Sequence, residues 1–258
     1  MEINFVSGTD RQHQILQLLE RQHRISVAEL CATFEVSEAT ARRDLESLAN
    51  EGKLQRVHGG AIVLTQAPPE QPILQRQNEQ ADEKIRIGQA AAALVQAGET
   101  IFLGSGTTVL EAARALRGRR DLTILTNSLP VVNALAGAEG ITLICLGGML
   151  RDSELSFIGH ISEQALAEVR ADKVFIGTRA ISLEYGLTNE YLPETMTDRA
   201  ILKAGKEIVV LVDHTKFGRA ATVRLALLDS IHTIVTDKGT SRDFIDAVQQ
   251  RGMSVFVA

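Results

Sequence analysis

The chain has 258 residues and a net charge of −5, length enough for one large or two modest domains with separate cores. No apolar run reaches the roughly 18–20 residues that span a bilayer, and MEINFVSGTD lacks the basic-then-apolar order of a signal peptide, so a cytoplasmic protein with no membrane partner is expected. Cys31 and Cys145 offer neither a disulfide framework nor a metal cluster, and the six histidines show no HxxxH or HxH spacing, so no metal and no cofactor are expected.

The first predicted helix runs from about Asp10 to Arg21, with Ile15, Leu16, Leu18 and Leu19 as its buried face. Ser26 and Glu29 form a capping box for a short helix ending near Phe34, with Val27, Leu30 and Cys31 on its apolar side. After a tight connection, Ser37 caps a second short helix. Ala41, Leu45 and Leu48 recur there at i, i+4 and i+7, while Ala39, Arg42, Arg43 and Glu46 fall on the opposite face. Two short capped helices and a brief turn are the helix-turn-helix pattern. A major groove accepts a helix that docks by one side and presents a small residue and two arginines on the other. Past Gly52, Leu54–Val57 and Ala61–Leu64 read as two strands around a Gly59-Gly60 hairpin turn. That wing carries Lys53, Arg56 and His58 toward the phosphate backbone.

Here the chain resembles the DeoR family of bacterial transcriptional repressors. The resemblance rests on Arg11 and Ile15, on ISVAELCATFEVSEATARRDLESL, and on VHGGA in the wing. It implies that the helix from Glu38 to Asn50 enters the major groove. The DNA-binding residues expected are Ser37, Ala39, Thr40, Arg42, Arg43, Lys53, Arg56 and His58, with double-stranded operator DNA as partner. Residues 1–64 hold seven Lys/Arg and nine Asp/Glu, a net of −2, where a non-specific monomeric DNA binder is basic. A homo-oligomer, dimer or tetramer, that sums several local basic patches is therefore expected.

Residues 65–76, TQAPPEQPILQR, hold three of the five prolines and read as a semi-rigid linker. The domains expected are 1–64, a winged helix-turn-helix; 65–78, a linker; and 79–258, an effector-binding and oligomerisation domain. From about Glu79 the texture becomes alternating helices and short apolar strands. Strands are expected at 100–104, 122–126, 141–146, 173–177, 207–212, 232–237 and 254–257. Helices are expected at 82–96, from Ser105, from Leu129, and at 161–169, 194–204 and 242–250. Short apolar strands separated by helices imply a largely parallel sheet covered on both sides, with ligand loops at the strand carboxyl ends.

Gly104-Ser105-Gly106-Thr107-Thr108 follows one such strand and opens a helix. Glycines allow close backbone approach, hydroxyls donate, and the helix N-terminus favours an anion. The lysine of a P-loop is absent and GxGxxG is not matched, which argues against a nucleotide. Thr126-Asn127-Ser128, Gly147-Gly148 and Asp213-His214-Thr215-Lys216 close further strands. Lys216 suits a negatively charged ligand and Asp213 suits hydroxyls. His214 beside Asp213 is a candidate base or, more simply, a loop hydrogen bond.

GSGTT, TNS, GG, GLT (186–188) and VDHTKFG (212–218) extend the family resemblance. It implies a Rossmann-like α/β effector domain, similar in fold to ribose-5-phosphate isomerase, that senses phosphorylated sugars or their derivatives. By position it implies effector contacts from Ser105, Gly106, Thr107, Thr108, Asn127, Gly147, Gly148, Asp213 and Lys216. The chain departs from the family pattern twice. Arg179-Ala180-Ile181-Ser182 lacks the acid many members carry there, and Asp198 stands where many have lysine. The fold expected is thus α/β, an N-terminal winged helix-turn-helix followed by a largely parallel sheet. The function expected is a sequence-specific repressor of a carbohydrate-metabolism operon, released by a phosphorylated sugar, with no catalytic residue. The alternative is a sugar-phosphate isomerase with an appended DNA-binding domain, for which Glu184, Glu190 and Asp213 are the candidate bases.

Overall fold

A computed structural model of the chain describes residues 8–22, 24–50, 54–57, 59–63, 65–66 and 70–258. Contacts divide it into two units, Met1–Gln66 and Ala67–Ala258. Lys53, His58 and Leu64 lie outside the described residues.

In the first unit, helices Gly8–Gln22, Val27–Phe34 and Glu38–Asn50 are followed by the strands Leu54–Val57 and Gly60–Val63. A third strand, Arg24–Ser26, pairs antiparallel with Gly60–Val63. Three residues carry no readable alternation, so that strand was not expected from sequence. Both capping interactions of the Ser26–Glu29 box are made: Glu29 N–H donates to Ser26 Oγ at 3.1 Å and Ser26 N–H to Glu29 Oε2 at 2.7 Å. Glu35, in the left-handed region at φ 52°, turns the chain between the two helices. Gly60 has no room for a side chain, because a Cβ there would sit 2.2 Å from Ile25 O. Ile15, Leu19, Leu30, Leu45, Leu48 and Leu54 are each about 1% exposed or less and form one core.

The second unit is built on a seven-stranded sheet. Its spatial order is Ser254–Val257, Thr233–Thr236, Gly205–Leu211, Ala171–Ile176, Thr100–Leu103, Leu122–Thr126, Ile141–Cys145. Every pairing in it is parallel. The alternation of the strands explains its two covered faces. Phe102, Val174, Val210 and Ile234 enter one core, while Ile101, Leu103, Phe175, Val209 and Val235 enter the other. All seven expected strands belong to this sheet. Two smaller antiparallel features were not expected: the hairpin Met149–Arg151 with Ser156–Ile158, and a sheet of Ala180–Ser182, Gly186–Asn189 and Val223–Ala226. Their strands are three or four residues long, and Ser182 and Thr188 are buried in them, which hides the apolar signal.

Strand order reverses between Thr100–Leu103 and Ala171–Ile176. Successive strands run outward from the first on one side and from the second on the other. In a sheet of this kind a crevice opens at the carboxyl ends of the two strands flanking the reversal. Residues 70–78, read from sequence as part of a linker, are packed into this unit. Ile73 is 1% exposed and its N–H donates to Ser153 O at 2.7 Å. Pro72 there precedes a short helix, Ile73–Arg76.

Candidate functional sites

The helix Glu38–Asn50 is rooted by Ala41, Leu45 and Leu48, none more than 1% exposed. It is fixed in rotation by Asp44, which accepts from Arg11 Nε at 2.6 Å and from Gln12 Nε2 at 3.4 Å. With that side turned inward, Ala39, Arg42, Arg43 and Glu46 are exposed together. Ser37 Oγ accepts from Thr40 N–H at 3.3 Å and lies 3.0 Å from Thr40 Oγ1, so these two residues shape the helix start. Arg42 reaches Glu38 at 3.1 Å, but both side chains are at least 60% exposed, a pairing worth little and easily exchanged. Arg56 is exposed on the strand Leu54–Val57.

At the reversal of the sheet lies a polar cleft with a cavity volume of about 60 Å³. Its floor is the loop after Thr100–Leu103. Gly104 N–H donates to Phe175 O at 3.0 Å, tying this loop to the neighbouring strand. Gly106 takes φ 116°, a left-handed conformation open to glycine. The helix Thr107–Leu116 then starts with no side chain capping it, so its first N–H groups and positive dipole end are left for a ligand. Ser105, Gly106, Thr107 and Thr108 all line the cleft, as do Asp213 and Lys216. Asp213 Oδ1 accepts from Thr215 N–H at 3.0 Å and from the Thr215 hydroxyl, so that oxygen caps the turn His214–Lys216.

The other loops from the sequence reading do not line the cleft. Asn127 donates to Phe157 O at 3.0 Å and its carbonyl accepts from Phe157 N–H at 2.7 Å, which clamps the hairpin. Gly147 O accepts from Ser162 Oγ at 2.7 Å, and a Cβ on Gly148 would sit 2.1 Å from that hydroxyl. These residues hold the hairpin and the helix His160–Ala167 against the sheet. Their position at strand ends suggested ligand contact, but none of them is among the residues that line the cleft, and Asn127 Oδ1 is buried without a hydrogen-bond partner. His214 Nδ1 lies 2.9 Å from Asp237 Oδ1, and His214 N–H donates to Asp237 Oδ2 at 2.7 Å, a loop hydrogen bond. Glu184 and Glu190 are exposed and outside the cleft lining.

Most of the remaining wall was not read from sequence; Arg179 and Asp198 were noted there as departures from the family pattern. Arg76, Lys84 and Arg179 join Lys216 as its cations, and Glu70, Glu154, Glu194 and Asp198 join Asp213 as its acids. Arg76 bridges both oxygens of the buried Glu154 carboxylate, and its Nε donates to Gln71 O at 2.8 Å. Lys84 Nζ donates to Arg76 O at 2.8 Å. Arg151 joins Glu70 at 3.2 Å and also pairs with Glu194. Asp198, 5% exposed, accepts from Asn189 Nδ2 at 3.0 Å. Burial lowers the pKa of both Lys84 and Lys216. Burial and the nearby Glu70 raise that of Asp198 to about 7, and burial raises that of Glu154. Every one of these shifts opposes charge at a buried position, and a bound anion would favour the protonated form of each group. Arg179 and Asp198, the two departures from the family pattern, both stand on this wall.

Comparison with known proteins gives a consistent picture. Residues 11–67 match the model of the DeoR-like helix-turn-helix domain, and residues 79–238 match that of the DeoR C terminal sensor domain. The chain is 34% identical to the transcriptional repressor AccR of Agrobacterium fabrum, over 98% of each protein. It is also 34% identical to the glycerol-3-phosphate regulon repressor of Escherichia coli K12, over 89% of this chain and 90% of that one. Among solved structures, ribose 5-phosphate isomerase A from Methanocaldococcus jannaschii superposes with a TM-score of 0.41. That match is 21% identical and covers 54% of this chain and 55% of that one.

Proposed function

This chain belongs to the DeoR family of DNA-binding transcriptional regulators, and on that premise we propose that it represses a carbohydrate-metabolism operon and leaves its operator when a phosphorylated sugar fills the cleft. The observation that carries the ligand half is the uncapped start of the Thr107–Leu116 helix. It opens into a buried crevice that Lys84, Arg179 and Lys216 also line. A phosphoryl group would take the free N–H groups and the hydroxyls of Ser105, Thr107 and Thr108, with Lys216 supplying charge. The name of the Escherichia coli relative, a glycerol-3-phosphate regulon repressor, agrees with a phosphorylated carbon skeleton as effector.

Operator contact falls to Ala39, Arg42, Arg43 and Arg56, with Ser37 and Thr40 at the helix start and Lys53 and His58 alongside. Given the net charge of −2 over residues 1–64, two or more such surfaces in a cytoplasmic homo-oligomer would supply the affinity. The chain is no isomerase in this reading: Glu184 and Glu190 stand outside the cleft, and one oxygen of Asp213 is engaged by Thr215.

The test is a thermal-shift and calorimetric screen of phosphorylated sugars against their unphosphorylated parents. At a concentration a hundred times Kd, a ligand should stabilise the protein by about 2.7 kcal/mol. Lys216→Ala and Thr107→Val should weaken the hit while leaving ligand-free operator affinity intact. Absence of any phosphorylated ligand, or equal binding by both variants, refutes the assignment.

A further inference from the structure

We infer that two copies of this chain pair through one apolar face of the second unit, made by the hairpin Met149–Arg151 with Ser156–Ile158, the helix His160–Ala167 and the start of the helix Leu192–Ala204. The inference rests on the homo-oligomer of the proposed function and adds the surface that makes it.

This layer is built inside out. From Tyr191 to Asp198 the exposed residues are Tyr191, Leu192, Pro193 and Met196, while both charged ones, Glu194 and Asp198, are buried and line the cleft. In the hairpin, Met149 and Leu150 are exposed and Arg151 turns in to Glu194 and Glu70. Ile161 extends the face along the neighbouring helix, and Leu74 adds to it. The pieces are tied together. Gly159 N–H donates to Thr197 Oγ1 at 2.9 Å, and Arg151 lies over the Tyr191 ring at 4.6 Å. Ile73 N–H donates to Ser153 O at 2.7 Å, and Glu70 N–H to Glu190 Oε2 at 2.8 Å. A surface made for water keeps its charges outside and its large apolar groups inside. Here the cleft takes the charges, which leaves the apolar groups outside.

The face is large enough to need a cover. Leu74, Met149, Leu150, Ile161, Leu192 and Met196 are 39–66% exposed, and Tyr191 is 42% exposed. At roughly 150–200 Å² for a side chain of that size, they present about 550–750 Å² of apolar surface. Contiguous apolar patches on a lone protein rarely pass a few hundred Å², whereas a stable interface takes roughly 800 Å² from each partner, a little over half of it apolar. A second copy suits this face. Identical surfaces meet about a two-fold axis, and an apolar centre lets them do so without like charges opposed. Asp152 and Glu190, exposed at the hairpin turn and just before Tyr191, suit a wet rim. The first unit calls for the same partner. Residues 1–64 carry a net −2, so operator affinity has to be summed over copies, as helix-turn-helix proteins do on paired half-sites.

Methionine oxidation tests the face without altering the chain. Met149 and Met196 lie on it, and Met253, 5% exposed in the core of the same unit, is the internal control. Hydrogen peroxide oxidises an accessible thioether to the sulfoxide, which peptide mass spectrometry reads. Concentrating the full chain from nanomolar to tens of micromolar should slow oxidation of Met149 and Met196 severalfold and change Met253 little. Sedimentation velocity supplies the second measurement. Met196→Glu with Ile161→Glu should halve the mass of the particle at micromolar concentration. Each substitution buries an unpaired charge, and a two-fold pair contains it twice. Phe256→Glu, on the edge strand Ser254–Val257, should leave the mass unchanged. A parent that sediments as one chain at every concentration overturns the homo-oligomer and this face together. An oligomer whose Met149 and Met196 oxidise as fast as at nanomolar concentration overturns this face alone. So does an oligomer that survives the double substitution, or one lost to Phe256→Glu instead.

Discussion

Asp198→Asn should stabilise the effector-binding unit at alkaline pH and lose that advantage as pH falls. Asp198 is 5% exposed and stands among Glu70, Glu154 and Arg151. Burial, then Glu70, holds its carboxyl at about 7 against an ordinary 3.8. The folded state therefore binds a proton that the unfolded chain releases between about pH 4 and pH 7. A folded pKa raised in this way gives stability that is complete below about pH 4 and lost as pH rises through 7. At about 1.36 kcal/mol per pKa unit, the full loss is on the order of 4 kcal/mol, of which about 3 falls between pH 5 and pH 8. Asparagine carries no proton to lose, and its carbonyl can still accept from Asn189 Nδ2. The gap between variant and parent should widen by about 3 kcal/mol over that range, in favour of the variant. Urea unfolding followed by tyrosine emission measures it cleanly, since the chain has no tryptophan and both tyrosines, Tyr185 and Tyr191, lie in the second unit. A gap that does not change with pH, or a variant less stable than the parent at pH 8, would refute the reasoning.

Arg42→Ala and Arg43→Ala should each weaken operator binding by about 1–3 kcal/mol if the arginine reads a base, measured by fluorescence anisotropy on a selected operator; equal affinities in both variants would remove Glu38–Asn50 from the groove. Asp44→Ala should cost the first unit about 1–3 kcal/mol, because it removes both carboxylate oxygens to which the Arg11 guanidinium, 14% exposed, donates beside the core. Arg11→Met with Asp44→Leu should recover most of that loss in a thermal melt, and a near-neutral Asp44→Ala would show that the pair does not hold the helix in register.

The sequence by itself determined the parts of this protein whose causes are local. Ser26 and Glu29 are three residues apart, so one helical turn brings them together wherever that helix lies. Ala41, Leu45 and Leu48 pick out a buried side by the period of a helix, and their burial exposes Arg42 and Arg43 without further information. The alternation of Ile101, Phe102 and Leu103 marks a strand covered on both faces, and a glycine-hydroxyl loop after it marks a helix start open to an anion. The wall opposite that loop has no such signature. Arg76 meets Glu154 across 78 residues, Arg151 meets Glu70 across 81, and Asp198 joins them from the helix Leu192–Ala204, further along the chain than any of the four. Singly, each is an ordinary charged residue, and Arg76 sits in a proline-rich stretch that reads as a tether. Only the reversal of strand order beside Thr100–Leu103, a property of how the chain threads the sheet, gathers them into one cleft where burial and mutual repulsion shift their proton affinities. The same threading leaves Asn127, Gly147 and Gly148 outside the lining of that cleft, which their places at strand ends did not reveal.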